Sequence, residues 1–402
     1  MYKIKLFFGR FVLLFLYSLI RFFSILPTKK QKRTDNVIVL TGTFYSKNWL
    51  DAHVIPLVSC SSVKHVYIVS NIIDYELEGL TIITPPFSLS RFMGSTLARL
   101  VAFFICALKK KPDYIGGFHI LFNGTLAILF ANLLRCRSIY FSGGGITETL
   151  VTGKTENSFF KFLNKKDKFL TNYICKIIAC ASRVITMGSG AKLFFTENGV
   201  YSDRIHIISG AIDSNDFYIN KEVVKEYDLV LTARLSKVKQ VELYLEIIKD
   251  IKDRGINCRA LVIGDGPLLL SLKKYAEQLN IEDRVFFAGH QTDVLIWLHK
   301  SKIYLLTSKS EGLSLSMLEG LKAGLPAIVP NVGDLSDVLV DEYNGYLIEG
   351  HDLDAYSNSI IKLLQDEDLL SEFSSNAIDS TRRFDLVCVQ EQWNTLFVAE
   401  SI

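Results

Sequence analysis

The sequence SKSEGLSLSMLEGLKAGLPAIVP, at positions 308–330, contains a predicted turn, helix and buried strand in close succession. Ser314 is a typical first cap of a helix, leucines recur after it at helical spacing, and Gly324 followed by Leu-Pro predicts the helix end. The small apolar residues 327–329 are typical of a strand buried in a parallel sheet. A strand, a loop and a helix N-terminus in this order form a natural site for an anionic ligand such as a diphosphate.

Two carboxylates lie in this stretch with seven residues between them. Glu311 precedes the helix and Glu319 lies about one and a half turns into it, so both can reach a ligand lying across the helix N-terminus. Taken alone, the pair also fits a surface helix with two solvated acids. Upstream, Arg234 and Lys239 follow a predicted strand. They fit an ordinary basic loop, or a guanidinium and an ammonium that neutralise an anionic ligand.

From Arg234 to Pro330 the sequence resembles the C-terminal, nucleotide-binding domain of the family-4 retaining glycosyltransferases, which have the GT-B fold. The glutamate pair, set in EGLSLSMLEGLKAGLPAIV, is among the most specific marks of that family. The resemblance covers most of the chain after about Lys111 and is strongest from Asp228 to Leu364. It implies an α/β protein of the GT-B class, in which two Rossmann-like domains face a cleft.

The resemblance also implies roles for individual residues. Arg234 and Lys239 would neutralise the diphosphate of a nucleotide-sugar donor. Glu311 would hold hydroxyl groups of the donor sugar, and Glu319 would bind the ribose. The other predicted substrate-binding residues lie at the helix N-terminus or in loops that follow strands, and they are Gly312, Leu313, Ser314, Gly42 and Gly266. No metal site is expected.

A histidine stands at the end of another predicted strand. Residues 111–115 lead through two glycines to His119, and Asn123 and Gly124 then open an apolar helix. This arrangement resembles the family segment whose strand end presents a histidine, so His119 is predicted to contact the transferred sugar and to stabilise charge near its anomeric carbon. A lone histidine beside glycines is otherwise more often structural. The glycines at 143–145 could approach an acceptor or lipid phosphate closely, or form a tight turn.

With 402 residues, the chain can form two domains that each bury a core. From residue 36 onward, β-branched runs alternate with helical stretches, which predicts parallel sheets wrapped by helices. We expect four segments, namely a membrane-associating helix with a basic flank at 1–34, an acceptor-binding Rossmann-like domain at 35–212, a nucleotide-sugar-binding Rossmann-like domain at 213–384, and a C-terminal helix at 385–402 that returns to the first domain.

The formal net charge of +3 is unevenly distributed. Residues 1–211 carry 26 Lys and Arg against 11 Asp and Glu, a net charge of +15, whereas the remainder carries 19 against 31, a net charge of −12. The first half should therefore favour an anionic partner. Nucleic acid is not expected, because the sequence has no zinc-ligand spacing, basic recognition helix or aromatic ribonucleoprotein pattern. An anionic membrane surface is the better candidate.

Residues 6–27 are the most apolar part of the chain, but Arg10 and Arg21 limit the uninterrupted core to residues 11–20, too short to span a bilayer. In a helix, Lys3, Arg10, Tyr17, Arg21 and Ser24 form one stripe, which is typical of a helix in the membrane interface. The basic cluster at 29–33 would attract anionic lipid. A signal peptide, a tilted spanning helix and a buried helix are the alternatives.

The resemblance implies transfer of a hexosyl or N-acetylhexosaminyl group from a UDP-sugar or GDP-sugar to an acceptor hydroxyl, with retention of configuration and without a cofactor. We expect a lipid-linked saccharide acceptor in bacterial surface polysaccharide or lipopolysaccharide synthesis, at the cytoplasmic face of the inner membrane. The seven scattered cysteines fit buried free thiols of a reducing compartment. A catalytically silent glycosyltransferase-like membrane subunit and a nucleotide-sugar epimerase of the same fold are the alternatives.

Overall fold

A computed structural model describes residues 2–29, 34–42, 47–70, 75–149, 167–213, 217–220 and 222–398. The chain divides into two compact units. The first consists of Met1–Ala211 together with Val387–Ile402, and the second of Ile212–Leu386.

Within the described residues, the first unit contains a parallel sheet of seven strands. These are β1 (Asn36–Thr41), β2 (Val63–Val69), β3 (Leu80–Ile83), β4 (Tyr114–Phe118), β5 (Arg137–Ser142), β6 (Arg183–Thr186) and β7 (Ile205–Ile207). Their order in the sheet is β3-β2-β1-β4-β5-β6-β7. The chain therefore changes direction across the sheet between β1 and β4, and the loops after these two strands open at the point where such sheets bind ligands.

Helices connect these strands and cover the sheet. They are α1 (Tyr2–Phe23), α2 (Lys47–Val58), α3 (Phe87–Met93), α4 (Ser95–Lys110), α5 (Thr125–Leu134), α6 (Lys168–Ile178) and α7 (Ser189–Glu197). Apolar residues of α5, α6 and α7 form one core cluster with β5 and β6, which accounts for the β-branched and leucine-rich runs in this half of the sequence.

Helix α1 packs against α6, and two residues of its polar stripe, Arg10 and Tyr17, contact that part of the first unit, whereas Arg21 and Ser24 are exposed. Arg10 donates a hydrogen bond from Nη2 to Asp167 Oδ2 at 2.8 Å. The rings of Tyr17 and Tyr173 lie 5.7 Å apart, and Ile20 is fully buried. Protein side chains therefore supply partners for part of the stripe, and the membrane association of this helix stays a prediction.

The opposite face of α1 carries exposed aromatic side chains. Its apolar window Lys5–Phe23 is long enough to cross a membrane by length and composition alone, and 17% of the window is buried. The exposed phenylalanines are Phe7, Phe8, Phe11, Phe15 and Phe22. Of the predicted basic cluster at 29–33, only Lys29 is described, and its backbone N donates to Arg135 O at 2.8 Å.

In the described part of the second unit, six parallel strands form the sheet. They are β8 (Tyr227–Thr232), β9 (Ala260–Ile263), β10 (Val285–Gly289), β11 (Ser301–Leu305), β12 (Ala327–Pro330) and β13 (Gly345–Ile348), in the order β10-β9-β8-β11-β12-β13. The order reverses between β8 and β11, so this sheet also has a switch point where ligands bind in such folds. Every residue of β9 and of β12 is buried, as expected for strands covered on both faces.

The helices of the second unit are α8 (Val241–Asp253), α9 (Leu269–Gln278), α10 (Leu295–His299), α11 (Leu315–Lys322), α12 (Leu353–Gln365) and α13 (Glu367–Ser380). The last helix, α14 (Leu386–Val398), packs on the first unit, where the Trp393 ring lies 5.8 Å from that of Phe141. Five of the cysteines are buried, but Cys388 on α14 is exposed, so the expectation of buried thiols is wrong for this residue.

Candidate functional site

The switch point of the second sheet brings together two of the predicted site residues. Lys239 ends a short helical turn after β8, and Glu311 lies in the loop after β11. These strands are direct neighbours in the sheet, so their following loops meet. The Lys239 ammonium donates to Glu311 Oε1 at 2.6 Å, and the two side chains are 20% and 11% exposed. A charged pair is thus held, mostly shielded from water, where an α/β sheet binds its ligands.

The loop that carries Glu311 is fixed at several points by backbone hydrogen bonds. Lys309 N donates to Val238 O at 2.8 Å, which ties the loop to the turn that bears the lysine. On the other side, His351 Nε2 lies 2.9 Å from Ser308 O. The ion pair therefore sits on a rigid support, as a binding site requires.

Gly333 and Asp334, which were not predicted as site residues, contact the backbone of the loop that carries Glu311. A Cβ atom at Gly333, whose φ is +62°, would lie 2.1 Å from Glu311 O. Asp334 N donates to Gly312 O at 3.1 Å. The sequence feature that could have identified them is the Gly-Asp pair shortly after a buried strand. Glycine in such a place often marks a close approach of two backbones.

Helix α11 begins as predicted, with the Ser314 hydroxyl accepting a hydrogen bond from Met317 N at 3.3 Å. Leu313 precedes this cap and is half-buried. Glu319 lies inside the helix and is only 8% exposed. Burial raises its pKa from 4.5 to about 7, so this carboxyl is poised between its two protonation states near neutral pH.

The loops after β8 and β9 pack against each other. Arg234 is exposed in the first of these loops. Leu235 N donates to Asp265 O at 2.9 Å, and a Cβ atom at Gly266 would lie 2.4 Å from Leu235 O. Gly266 is therefore required for close backbone packing beside Arg234. Its predicted contact with substrate stays a prediction.

In the first unit, Gly42 and His119 follow the neighbouring strands β1 and β4 at the switch point of the sheet. His119 has a φ of +65° and a ψ of 137°, a conformation that costs a non-glycine residue about 1–3 kcal/mol and occurs mostly at functional sites. Its Nδ1 lies 2.8 Å from Glu148 Oε1. The imidazole is 43% exposed whereas the glutamate side chain is 9% exposed. Sequence reasoning did not identify Glu148.

Some predicted features lie outside the described residues. The run of lysines and phenylalanines at 159–169 predicts either a solvated helix face or a second membrane-facing surface. Most of this run lies outside the described residues, and only its end at 167–169, where α6 begins, is described. Among the described residues, no group of three or more His, Cys, Asp or Glu side chains could hold a metal ion. The expectation of a metal-independent protein stays a prediction.

Comparisons with known proteins agree with this architecture. Residues 214–380 match the family model described as glycosyl transferases group 1. Solved structures match over nearly the whole chain, which confirms the GT-B fold class. HepE of Anabaena in complex with UDP-glucose has a TM-score of 0.70 at 15% identity, covering 90% of this chain and 100% of that one. Sucrose-phosphate synthase from Thermosynechococcus elongatus has a TM-score of 0.72 at 16% identity, covering 91% and 99%.

Curated relatives carry glycosyltransferase and related names. An N-acetyl-alpha-D-glucosaminyl L-malate synthase of Bacillus anthracis is 31% identical over 42% of this chain and 44% of its own length. A UDP-Gal:alpha-D-GlcNAc-diphosphoundecaprenol alpha-1,3-galactosyltransferase of Escherichia coli is 28% identical over 49% and 54%. The chain thus spans about half the length of these curated relatives. Together with the family match, they confirm the resemblance to glycosyltransferases.

Proposed function

We propose that this protein transfers a sugar from a nucleotide diphosphate sugar, UDP-linked or GDP-linked, to an acceptor hydroxyl with retention of anomeric configuration. The observation that carries the proposal is the shielded ion pair between Lys239 and Glu311 at the switch point of the second sheet, beside the N-terminus of α11. A diphosphate needs cationic and N–H donors, and a sugar needs carboxylate acceptors for its hydroxyl groups. This site offers all three.

In the proposed reaction, the bond between the anomeric carbon and the phosphate oxygen breaks as the acceptor oxygen forms its new bond to the same carbon. Negative charge grows on the departing diphosphate, where Lys239 and the exposed Arg234 would stabilise it. The departing phosphate takes the proton of the acceptor hydroxyl. Glu311 holds the sugar hydroxyls and is not a nucleophile, unlike the carboxylates of glycoside hydrolases.

Glu319 is assigned to the ribose. Because its pKa is raised to about 7, the side chain can accept a hydrogen bond from a ribose hydroxyl as a carboxylate or donate one as the neutral acid. A neighbouring hydroxyl donor would favour the charged form and lower this pKa on binding.

For the acceptor we propose a lipid-linked saccharide, handled by the first unit. The E. coli relative is named for a GlcNAc-diphosphoundecaprenol acceptor, and a Staphylococcus aureus relative is a poly(ribitol-phosphate) alpha-N-acetylglucosaminyltransferase. The phenylalanine face of α1 and the net charge of +15 on residues 1–211 support attachment to an anionic membrane surface. We place the reaction at the cytoplasmic face of the inner membrane, in surface polysaccharide synthesis.

Calorimetry with UDP, GDP and ADP tests the donor site. One nucleotide should bind, and Lys239→Ala should weaken it by about 10- to 100-fold, because a hydrogen bond to a charged group contributes about 1.5–3 kcal/mol. Lys237→Ala is the matched control, since this exposed lysine lies in the same turn and should leave the affinity unchanged. Failure of all three nucleotides to bind the folded protein would favour a catalytically silent subunit.

A further inference from the structure

Glu148 is a buried carboxylate that receives hydrogen bonds from every side. Besides its 2.8 Å contact with His119, its Oε1 accepts from Gly144 N at 2.6 Å. Its Oε2 accepts from Tyr140 Oη at 2.8 Å and from Ile120 N at 3.1 Å. Burial raises the pKa of Glu148, but the charge and hydrogen bond of His119, with the Gly144 and Tyr140 bonds, outweigh it and leave that pKa below 4.5. Glu148 is therefore ionised at neutral pH.

The run of glycines before Glu148 makes room for this arrangement. A Cβ atom at Gly144 would lie 3.0 Å from Glu148 Cγ, and one at Gly143 would lie 3.4 Å from His119 Cε1. The turn at these glycines packs against the carboxylate and the imidazole. This close packing is a reason for glycine at 143 and 144 that does not involve a phosphate. Two backbone N–H groups, one on each side of the carboxylate, fix its orientation.

The orientation of the carboxylate determines which nitrogen of His119 carries the proton. An ionised carboxylate can only accept hydrogen bonds, so Nδ1 must be the N–H donor. In the neutral ring this leaves Nε2, on the far side of the ring from Glu148, as a hydrogen-bond acceptor. The strained backbone and the 43% exposed ring of His119 lie at the end of β4, at the switch point of the first sheet.

We propose that Glu148 is a positioning residue that fixes His119 in the Nδ1–H tautomer, so that Nε2 is held as a hydrogen-bond acceptor for a sugar hydroxyl. The part of this inference that concerns the sugar rests on the proposed function. The part that concerns the tautomer rests on contacts within the first unit alone.

The tautomer is measured by nitrogen NMR of protein labelled at its histidines, with the His119 signals assigned from a His119→Asn variant. In the wild type at pH 8, His119 should carry its proton on Nδ1 and have an unprotonated Nε2. In Glu148→Ala, the ring should shift toward the Nε2–H form that imidazole side chains favour in water. Glu148→Gln keeps the volume but removes the charge, and because its amide can accept from Nδ1–H or donate to an unprotonated Nδ1, a mixture of tautomers should replace the single one.

Tyr140→Phe is the matched control, because it removes a hydrogen bond to Oε2 without touching the contact with His119. It should leave the His119 tautomer unchanged. A wild-type ring protonated at Nε2, or a tautomer that does not change in either Glu148 variant, would overturn the proposal and leave Glu148 a structural residue.

Kinetics with UDP-glucose, or with the first donor that the wild type turns over, tests the consequence for the sugar. Glu148→Gln should lower kcat by about 10- to 100-fold, the effect of one charge-assisted hydrogen bond. Its affinity for UDP by calorimetry should stay within about twofold, since the nucleotide is assigned to the second unit. An unchanged kcat overturns the catalytic consequence. If wild-type protein binds no UDP, the proposed function fails, whereas the NMR result still decides the role of Glu148.

Discussion

Replacing Glu319 with Gln should stabilise the protein at alkaline pH, although it removes a residue assigned to substrate. Burial raises the pKa of this carboxyl from 4.5 to about 7, so the folded state binds more protons than the unfolded state between these values. Stability therefore falls as the pH rises through this window, and the loss is complete just above pH 7. A shift of this size corresponds to about 3 kcal/mol.

Glutamine resembles the neutral form of glutamate and cannot ionise, so the variant does not lose stability as the pH rises. Relative to the wild type, Glu319→Gln should be more stable by about 3 kcal/mol at pH 8 and by less than about 1 kcal/mol at pH 5. Thermal unfolding at both pH values measures the difference, and 3 kcal/mol corresponds to a rise in Tm of roughly 6–10 °C for a unit of this size. Glu311→Gln is the control with the opposite sign, because it breaks the ion pair with Lys239. An equal shift in Tm at both pH values would refute a raised pKa at this position.

Three further substitutions test the loop that carries Glu311, the role of Lys239 and the phenylalanine face of α1. Gly333→Ala should displace the loop that carries Glu311, because the new Cβ atom would lie 2.1 Å from Glu311 O. The affinity for UDP, measured by calorimetry, should fall about 10-fold or more, with circular dichroism as the check on folding. Lys239→Ala should lower kcat/KM for the donor at least as much as it lowers UDP affinity, since charge on the diphosphate grows in the transition state; a fall in affinity alone would contradict this role. Replacing Phe7 and Phe11 with Ser should reduce flotation with anionic vesicles several-fold and leave UDP binding unchanged; unaltered flotation would contradict the role of this face.

The sequence was sufficient to predict the elements around the second-unit site. Ser314 and the leucines after it predicted α11, and the structure has the helix at Leu315–Lys322 with Ser314 as its cap. The alternation of strands and helices predicted two parallel sheets, because hydrophobic periodicity and turn residues are local properties of the chain. Because Lys239 and Glu311 are 72 positions apart, only the family resemblance assigned them to one site, and it did not predict the ion pair between them.

Features that depend on tertiary packing were missed or misjudged. The partners of α1 include Asn132 on α5 and Asp167, the cap of α6, which lies 157 positions beyond Arg10, so its helical pattern alone could not show which face docks on the protein. The glycines at 143–145 marked a turn near Glu148 but not a partner for its side chain, because its contact with His119 arises from the adjacent course of β4 and β5. Local patterns therefore located strands and caps, but they could not show which distant groups satisfy a buried charge.

The most direct test of the central claim is sugar transfer itself. Purified protein is incubated with radiolabelled UDP-sugars and GDP-sugars and with a GlcNAc-diphosphate polyprenyl acceptor in anionic vesicles, and the lipid phase is then extracted and counted. We expect label in the lipid phase with one donor, an α-linked product from an α-linked donor, and loss of this label in Lys239→Ala. Donor binding without any transfer, or interconversion of the donor sugar in the absence of acceptor, would contradict it.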